Sequence, residues 1–167
     1  NDLACNLESH PFGTACGRGI ISLSLHKIGT VKRGVGYFYK DLVVITNGLK
    51  IAQILSEMNI KVYVAGGFLI KNSSVLVGRE TEEFINNFNA DICFLSCKGL
   101  SSDGKFTDTS YEETKLRKCY LKNAKKKIML MTSNKIGKKY IHSLCDLDEI
   151  DHLILPDFKQ YEKIQEK

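Results

Sequence analysis

Four stretches of this 167-residue chain end an apolar run in small or polar residues. They are Thr46-Asn47-Gly48 after LVVI, Gly66-Gly67 after VYVA, Cys97-Lys98-Gly99 after ICFLS, and Thr132-Ser133-Asn134-Lys135 after IMLM. Hydroxyls, two carboxamides, glycine N–H groups and two lysines gathered at one edge can cradle an anion. Phosphate fits best, because the free N–H groups at helix starts and tight turns favour negative charge. Each stretch also has an ordinary reading, since glycine and asparagine serve turn geometry. Recurrence at four run ends favours a site.

Lys135, directly after an apolar run, could meet phosphate as a point charge or be a solvated turn lysine. Glu113 stands three residues after Ser110 and completes a capping-box pattern; a site carboxylate is the other reading, and the spacing favours the cap. Asp103 and Asp108 read as turn formers. The histidines at 10, 26, 142 and 152 are scattered without a partner pattern. Neither a triad nor a metal site can be argued from them, and no Walker or G-x-G-x-x-G motif is present. No catalytic residue, metal ligand or cofactor is therefore assigned.

The elements that must position these residues alternate from Asp41 onward. A buried strand (Leu42, Val43, Val44, Ile45) leads into a helix with Ile51, Ile54, Leu55 and Met58 at helical spacing. A second strand (Val62, Tyr63, Val64) and a short SVLVG piece precede GRETEEFINNFN. There Glu80, Glu82 and Glu83 suit the helix start, and Phe84, Ile85 and Phe88 form the apolar stripe. DICFLS is a further strand, LSSDGKFTDTS a loop turned by Asp103-Gly104, and YEETKLRKCYLKNAKK a helix whose Leu116, Cys119, Tyr120 and Ala124 face the core. KIMLMTS and HLIL complete the strands, and DFKQYEKIQEK is a charged, helical tail. Within the first forty residues only IISLSL reads as a strand. Near-continuous apolar strands alternating with helices predict an α/β fold: three layers, a mostly parallel sheet with helices on both faces.

Composition agrees with one globular domain over residues 1–167: 43% of residues are hydrophobic and 26% charged. No apolar run reaches the roughly 20 residues of a spanning helix, and no signal peptide is recognisable. The start at Asn1 rather than Met implies a piece of something longer. The net charge of +5 gathers at Lys122, Lys125, Lys126, Lys127, Lys138 and Lys139, which read as a solvated face, with an anion-binding patch as the alternative. No helix-turn-helix pattern or basic-aromatic stripe points to DNA reading by this segment. Of the six cysteines none forms C-x-x-C, which favours structural thiols in a reducing cytoplasm.

Taken in order, VVITNGLKIAQIL, VYVAGGFL, SVLVGRETEEFI, ADICFLSCKGLSSDGKFTD, EETKLRKCYL and IMLMTSNKIGKK resemble the C-terminal effector-sensing domain of DeoR-type bacterial transcription regulators, over roughly Asp41 to Leu155. The resemblance implies a fold like that of ribose-5-phosphate isomerases and CoA-transferases. It also implies a phosphorylated sugar bound without turnover, and an upstream helix-turn-helix domain that carries DNA binding and lies outside this chain. A cytoplasmic regulator, with homo-oligomers as an open possibility, follows from the same likeness. By it, Thr46, Asn47 and Gly48 would contact the ligand with Gly66 and Gly67 nearby. Lys98, Gly99 and Gly104 would shape the next loop, Glu113 and Lys135 would complete the pocket, and Gly29 and Thr30 of KIGTV would stand for the family's D-S-G-T-T-like phosphate loop. The family's D-G pair appears as Lys98-Gly99, and the acid of its D-S-S-K-F-G as Thr132, which implies a shifted ligand preference. A sugar-phosphate isomerase or CoA-transferase-like enzyme, and a degenerate oligomerisation domain, are the competing readings.

Overall fold

The computed structural model describes residues 18–24, 41–58, 60–71 and 73–155. Their centre is a six-stranded sheet made of β1 (Arg18–Ser24), β2 (Asp41–Thr46), β3 (Lys61–Val64), β6 (Ala90–Leu95), β9 (Ala124–Leu130) and β11 (His152–Ile154). Their order across the sheet is β11-β9-β6-β1-β2-β3. Every pairing in it is parallel. Two small antiparallel sheets flank it. β4 (Phe68–Ile70) pairs with β5 (Val75–Val77), and β8 (Lys105–Asp108) lies between β7 (Gly99–Leu100) and β10 (His142–Asp146).

The helices divide between the two faces because strand side chains alternate. Val44 and Leu42 point to α1 (Leu49–Ser56), where they bury Ile51 and Leu55, with Val62, Phe94 and Leu130 packed alongside. Ile45, Cys93, Leu95 and Met129 point the other way. They meet Ile85 of α2 (Arg79–Asn86) and Leu116, Tyr120 and Leu121 of α3 (Tyr111–Lys122). Phe84 and Phe88 extend that second core as an aromatic pair 5.0 Å apart, with Tyr63 5.3 Å from Phe88. The three-layer α/β arrangement with a mostly parallel sheet is therefore as the apolar pattern predicts.

Three local readings change. The stretch read wholly as loop contains β8, because Phe106 is fully buried and the backbone of Lys105–Asp108 pairs with both β7 and β10. The helix ends at Lys122, so Ala124 opens β9 instead of facing the core from α3. SVLVG is half of a hairpin with Phe68–Ile70.

The order of strands sets the place for a ligand. From β1 the chain winds one way through β2 and β3, then returns to the other side of β1 through β6, β9 and β11. In open α/β sheets ligands bind where the order reverses in this way, at the carboxyl ends of the adjoining strands, which are β1 and β6 in this sheet. The register holds those ends level: Leu23 pairs with Thr46, Ser24 with Leu95, and Leu95 with Met129.

Candidate functional site

The turn after β2 is held from several sides. Thr46 Oγ1 accepts from the Gly48 N–H at 3.0 Å, closing the turn on itself. The Asn47 carboxamide donates to the Leu76 carbonyl at 2.9 Å and accepts from the Tyr120 hydroxyl at 3.2 Å. The Asn47 carbonyl accepts from Leu76 N–H at 2.8 Å, and Leu49 N–H donates to Ser74 O at 3.0 Å. Asn47 is thus a joint between β2, the β4–β5 hairpin and α3. Burial pushes the Tyr120 hydroxyl well above its ordinary pKa, so it remains a donor.

Gly66 and Gly67 end the run after β3. The Gly66 carbonyl accepts from Thr81 Oγ1 at 2.6 Å, which ties it to the first turn of α2. Gly67 has φ +134°, and a Cβ there would lie 2.1 Å from Thr81 Oγ1 and 2.6 Å from Val77 O. Only glycine allows this approach.

Lys98, Gly99 and Lys135 come together at the ends of β6 and β9. A 3-10 turn over Ser133–Lys135 lets the Lys135 ammonium donate to Cys97 O at 2.7 Å and to Ser96 Oγ at 3.2 Å. Both acceptors are uncharged. Burial holds the Lys135 pKa below the usual lysine value. Neither Lys98 nor Lys135 forms an ion pair with a carboxylate among the described residues. Lys98 is exposed, with its N–H on Thr107 O at 3.2 Å. Gly99 lies so close to the neighbouring loop that a Cβ would be 2.3 Å from Lys138 O. A half-buried cation bonded only to neutral groups, at the carboxyl ends of a parallel sheet, is suited to receive an anion.

Beside it lies a buried ionic triad. Arg117 donates to Asp108 Oδ2 at 2.6 Å and to Glu113 Oε2 at 2.7 Å; exposure is 1% for Asp108 and Arg117 and 8% for Glu113. Asp108 Oδ1 also accepts from Thr109 N–H at 2.7 Å. Ser110 caps α3 by accepting from Glu113 N–H at 3.3 Å, while the Glu113 carboxylate reaches Arg117. Glu113 therefore serves the cap through its backbone and the triad through its side chain. Sequence reasoning missed Arg117, although the Glu113–Arg117 spacing of i, i+4 is a readable helical ion-pair signal. It also missed Ser96, a hydroxyl at a strand end.

Gly29 and Thr30 lie outside the described residues. Cys93, Cys97 and Cys145 are free and buried, their thiols pushed up to about 12, 11 and 12 by desolvation, which makes them structural, unreactive groups. Among the described residues no cluster of His, Cys, Asp and Glu could hold a metal ion, and no helix is long and apolar enough to cross a membrane.

The family model for the DeoR C-terminal sensor domain matches residues 38–156. The chain belongs to this DeoR sensor family. It is similar to the HTH-type transcriptional regulator GolR of Listeria innocua, 34% identical over 117 residues, which cover 70% of this chain and 46% of the relative. It is similar also to the glycerol-3-phosphate regulon repressor of Escherichia coli, at 24% identity over 74% of this chain and 51% of that protein. The HTH-type transcriptional repressor GlcR of Bacillus subtilis is 30% identical over 68% of this chain and 44% of its own length. The chain spans about half the length of the curated relatives it matches. Among solved structures, a mutant form of RipA shares the fold at TM-score 0.56 and 10% identity, over 85% of this chain and 39% of that one. Ribose 5-phosphate isomerase A of Methanocaldococcus jannaschii aligns at TM-score 0.48 and 10% identity, over 74% and 48%. The family read from the ordered motifs is the family found.

Proposed function

We infer that this DeoR-type domain binds a phosphorylated sugar and serves a cytoplasmic repressor of sugar metabolism without turning the ligand over. The observation that carries the reading is Lys135: a half-buried ammonium on Ser96 Oγ and Cys97 O, with no carboxylate partner among the described residues. An incoming phosphate would supply the missing counter-charge. Thr46, Asn47, Gly48, Gly66, Gly67, Lys98, Gly99, Glu113 and the KIGTV residues Gly29 and Thr30 belong to the same proposed pocket. Asn47 and Glu113 shape it from behind through Tyr120 and Arg117.

Regulation follows from differential binding. A ligand that prefers one arrangement of the domain or its oligomer shifts the population and so changes the DNA affinity of a helix-turn-helix domain preceding it. The named relatives, a glycerol-3-phosphate regulon repressor among them, support regulation over chemistry. So does the triad: an isomerase or transferase needs a base free to take a proton, whereas Asp108 and Glu113 are both engaged by Arg117.

Thermal unfolding against a panel of phosphorylated and unphosphorylated sugars tests this. At a hundredfold excess over Kd the correct phosphosugar should raise Tm by roughly 5–10 °C, with its unphosphorylated counterpart inert. Equal response to both members of a pair, or turnover of ribose 5-phosphate, would count against it.

A further inference from the structure

Resting on the phosphosugar reading just given, we propose that Ser96 is a further ligand-binding group, whose O–H donates to an oxygen of the same phosphate that Lys135 attracts. Ser96 directly follows β6, at the reversal of strand order, where Ser24 of β1 and Leu95 of β6 are partners. Leu95 and Cys97 on either side of it are buried in the core, whereas Ser96 itself is half-buried.

A hydroxyl has one proton to give and two lone pairs to offer. The Lys135 ammonium donates to Ser96 Oγ at 3.2 Å and to Cys97 O at 2.7 Å. With a cation on its oxygen, the Ser96 proton turns away from Lys135, and it meets no acceptor among the described residues. Lys135 in turn has three protons and commits two of them. A spare N–H and a spare O–H thus stand on atoms 3.2 Å apart, a pair of donors that two oxygens of one phosphate can engage together.

Charge supplies only part of the hold on an anion at this place. Arg117, Asp108 and Glu113 sum to one negative charge, two carboxylates against one guanidinium. Burial lowers the Lys135 pKa most, and the fields of Asp108 and Arg117 both reach it, the first raising and the second lowering it. The net charge of the triad therefore offsets some of the attraction that Lys135 exerts on phosphate. A hydroxyl adds a directed bond without adding charge, and a bond to an ionised acceptor is among the stronger ones.

Calorimetric titration with glucose 6-phosphate, ribose 5-phosphate and glycerol 3-phosphate tests the assignment, on variants confirmed folded by circular dichroism. For a probe that wild type binds, Ser96→Ala should weaken affinity about tenfold, the scale of a hydrogen bond to a charged group. Ser96→Cys, close in size and a poorer donor, should weaken it at least about fivefold. A crystal structure of the wild-type complex should then place Ser96 Oγ within about 3 Å of a phosphate oxygen. Unchanged affinity in both variants overturns the contact and leaves the phosphosugar site standing. So does a loss of affinity with Ser96 Oγ out of reach of every ligand oxygen, which would make Ser96 a holder of Lys135 alone. Absence of binding of all three probes by wild type overturns both readings.

Discussion

The Tyr120 hydroxyl donates to Asn47 Oδ1 at 3.2 Å across 73 positions of sequence, both residues buried. This bond joins α3 to the turn at the end of β2, so the strand-end edge and the helix carrying Arg117 are one mechanical unit. Tyr120→Phe leaves a buried amide oxygen without its donor. The expected loss is about 1–2 kcal/mol in urea unfolding, with the same m-value. A change near zero would show that the joint contributes nothing.

Arg117 pairs with two buried carboxylates. Arg117→Met strands Asp108 and Glu113, and a loss of about 3–5 kcal/mol is expected, the scale for breaking a buried pair from one side. The triple replacement of Asp108, Glu113 and Arg117 by apolar residues should recover most of that loss. Failure of the triple variant to recover stability would place the cost in packing of the arginine stem.

Gly66 and Gly67 adjoin in sequence and differ in room. Gly67→Ala meets Thr81 Oγ1 and Val77 O at a φ of +134°, and should cost about 1–3 kcal/mol or more. Gly66→Ala meets nothing within 4 Å and should stay within about 0.5 kcal/mol of wild type. Thermal melts of the two variants check the contrast, and equal melting would contradict the described approach of α2 to this turn.

Lys135 ties ligand binding to pH. Its pKa in the fold lies below the ordinary lysine value because of burial. The unfolded chain then binds more protons between the folded and unfolded pKa values, so stability from this group rises as pH climbs through that window. Anion affinity runs the opposite way, since deprotonation removes the charge that attracts it. Phosphate affinity measured as pH rises toward the ordinary lysine range should fall in wild type and follow a flatter profile in Lys135→Met. Identical profiles would remove Lys135 from the site.

Much of this was legible in the chain itself. Leu42–Ile45 and Ile92–Leu95 are near-continuous apolar runs, and strands covered on both faces must look that way. β8 was not legible, because Lys105–Asp108 carries one large apolar residue, Phe106, and its β10 partners are distant in sequence, Asp146 standing opposite Lys105 and His142 opposite Asp108. The strand-end residues were found by type and their duties were not. Asn47 looks like a ligand group and spends its carboxamide on Leu76 and Tyr120. Arg117, in a lysine-rich helix, looks like one more solvated cation and is fully buried. Side-chain type announces an edge of a sheet; only tertiary contact assigns each hydrogen bond.

The most direct measurement is calorimetric binding of phosphorylated sugars to the wild-type chain and to Lys135→Met, each confirmed folded by circular dichroism. The expected result is saturable binding of a phosphosugar by wild type, weakened at least about tenfold in the variant, as loss of a charge-assisted contact requires. Unchanged affinity in Lys135→Met, or binding of the unphosphorylated sugar as tight as its phosphate ester, would contradict the assignment of this strand-end edge as a phosphosugar site.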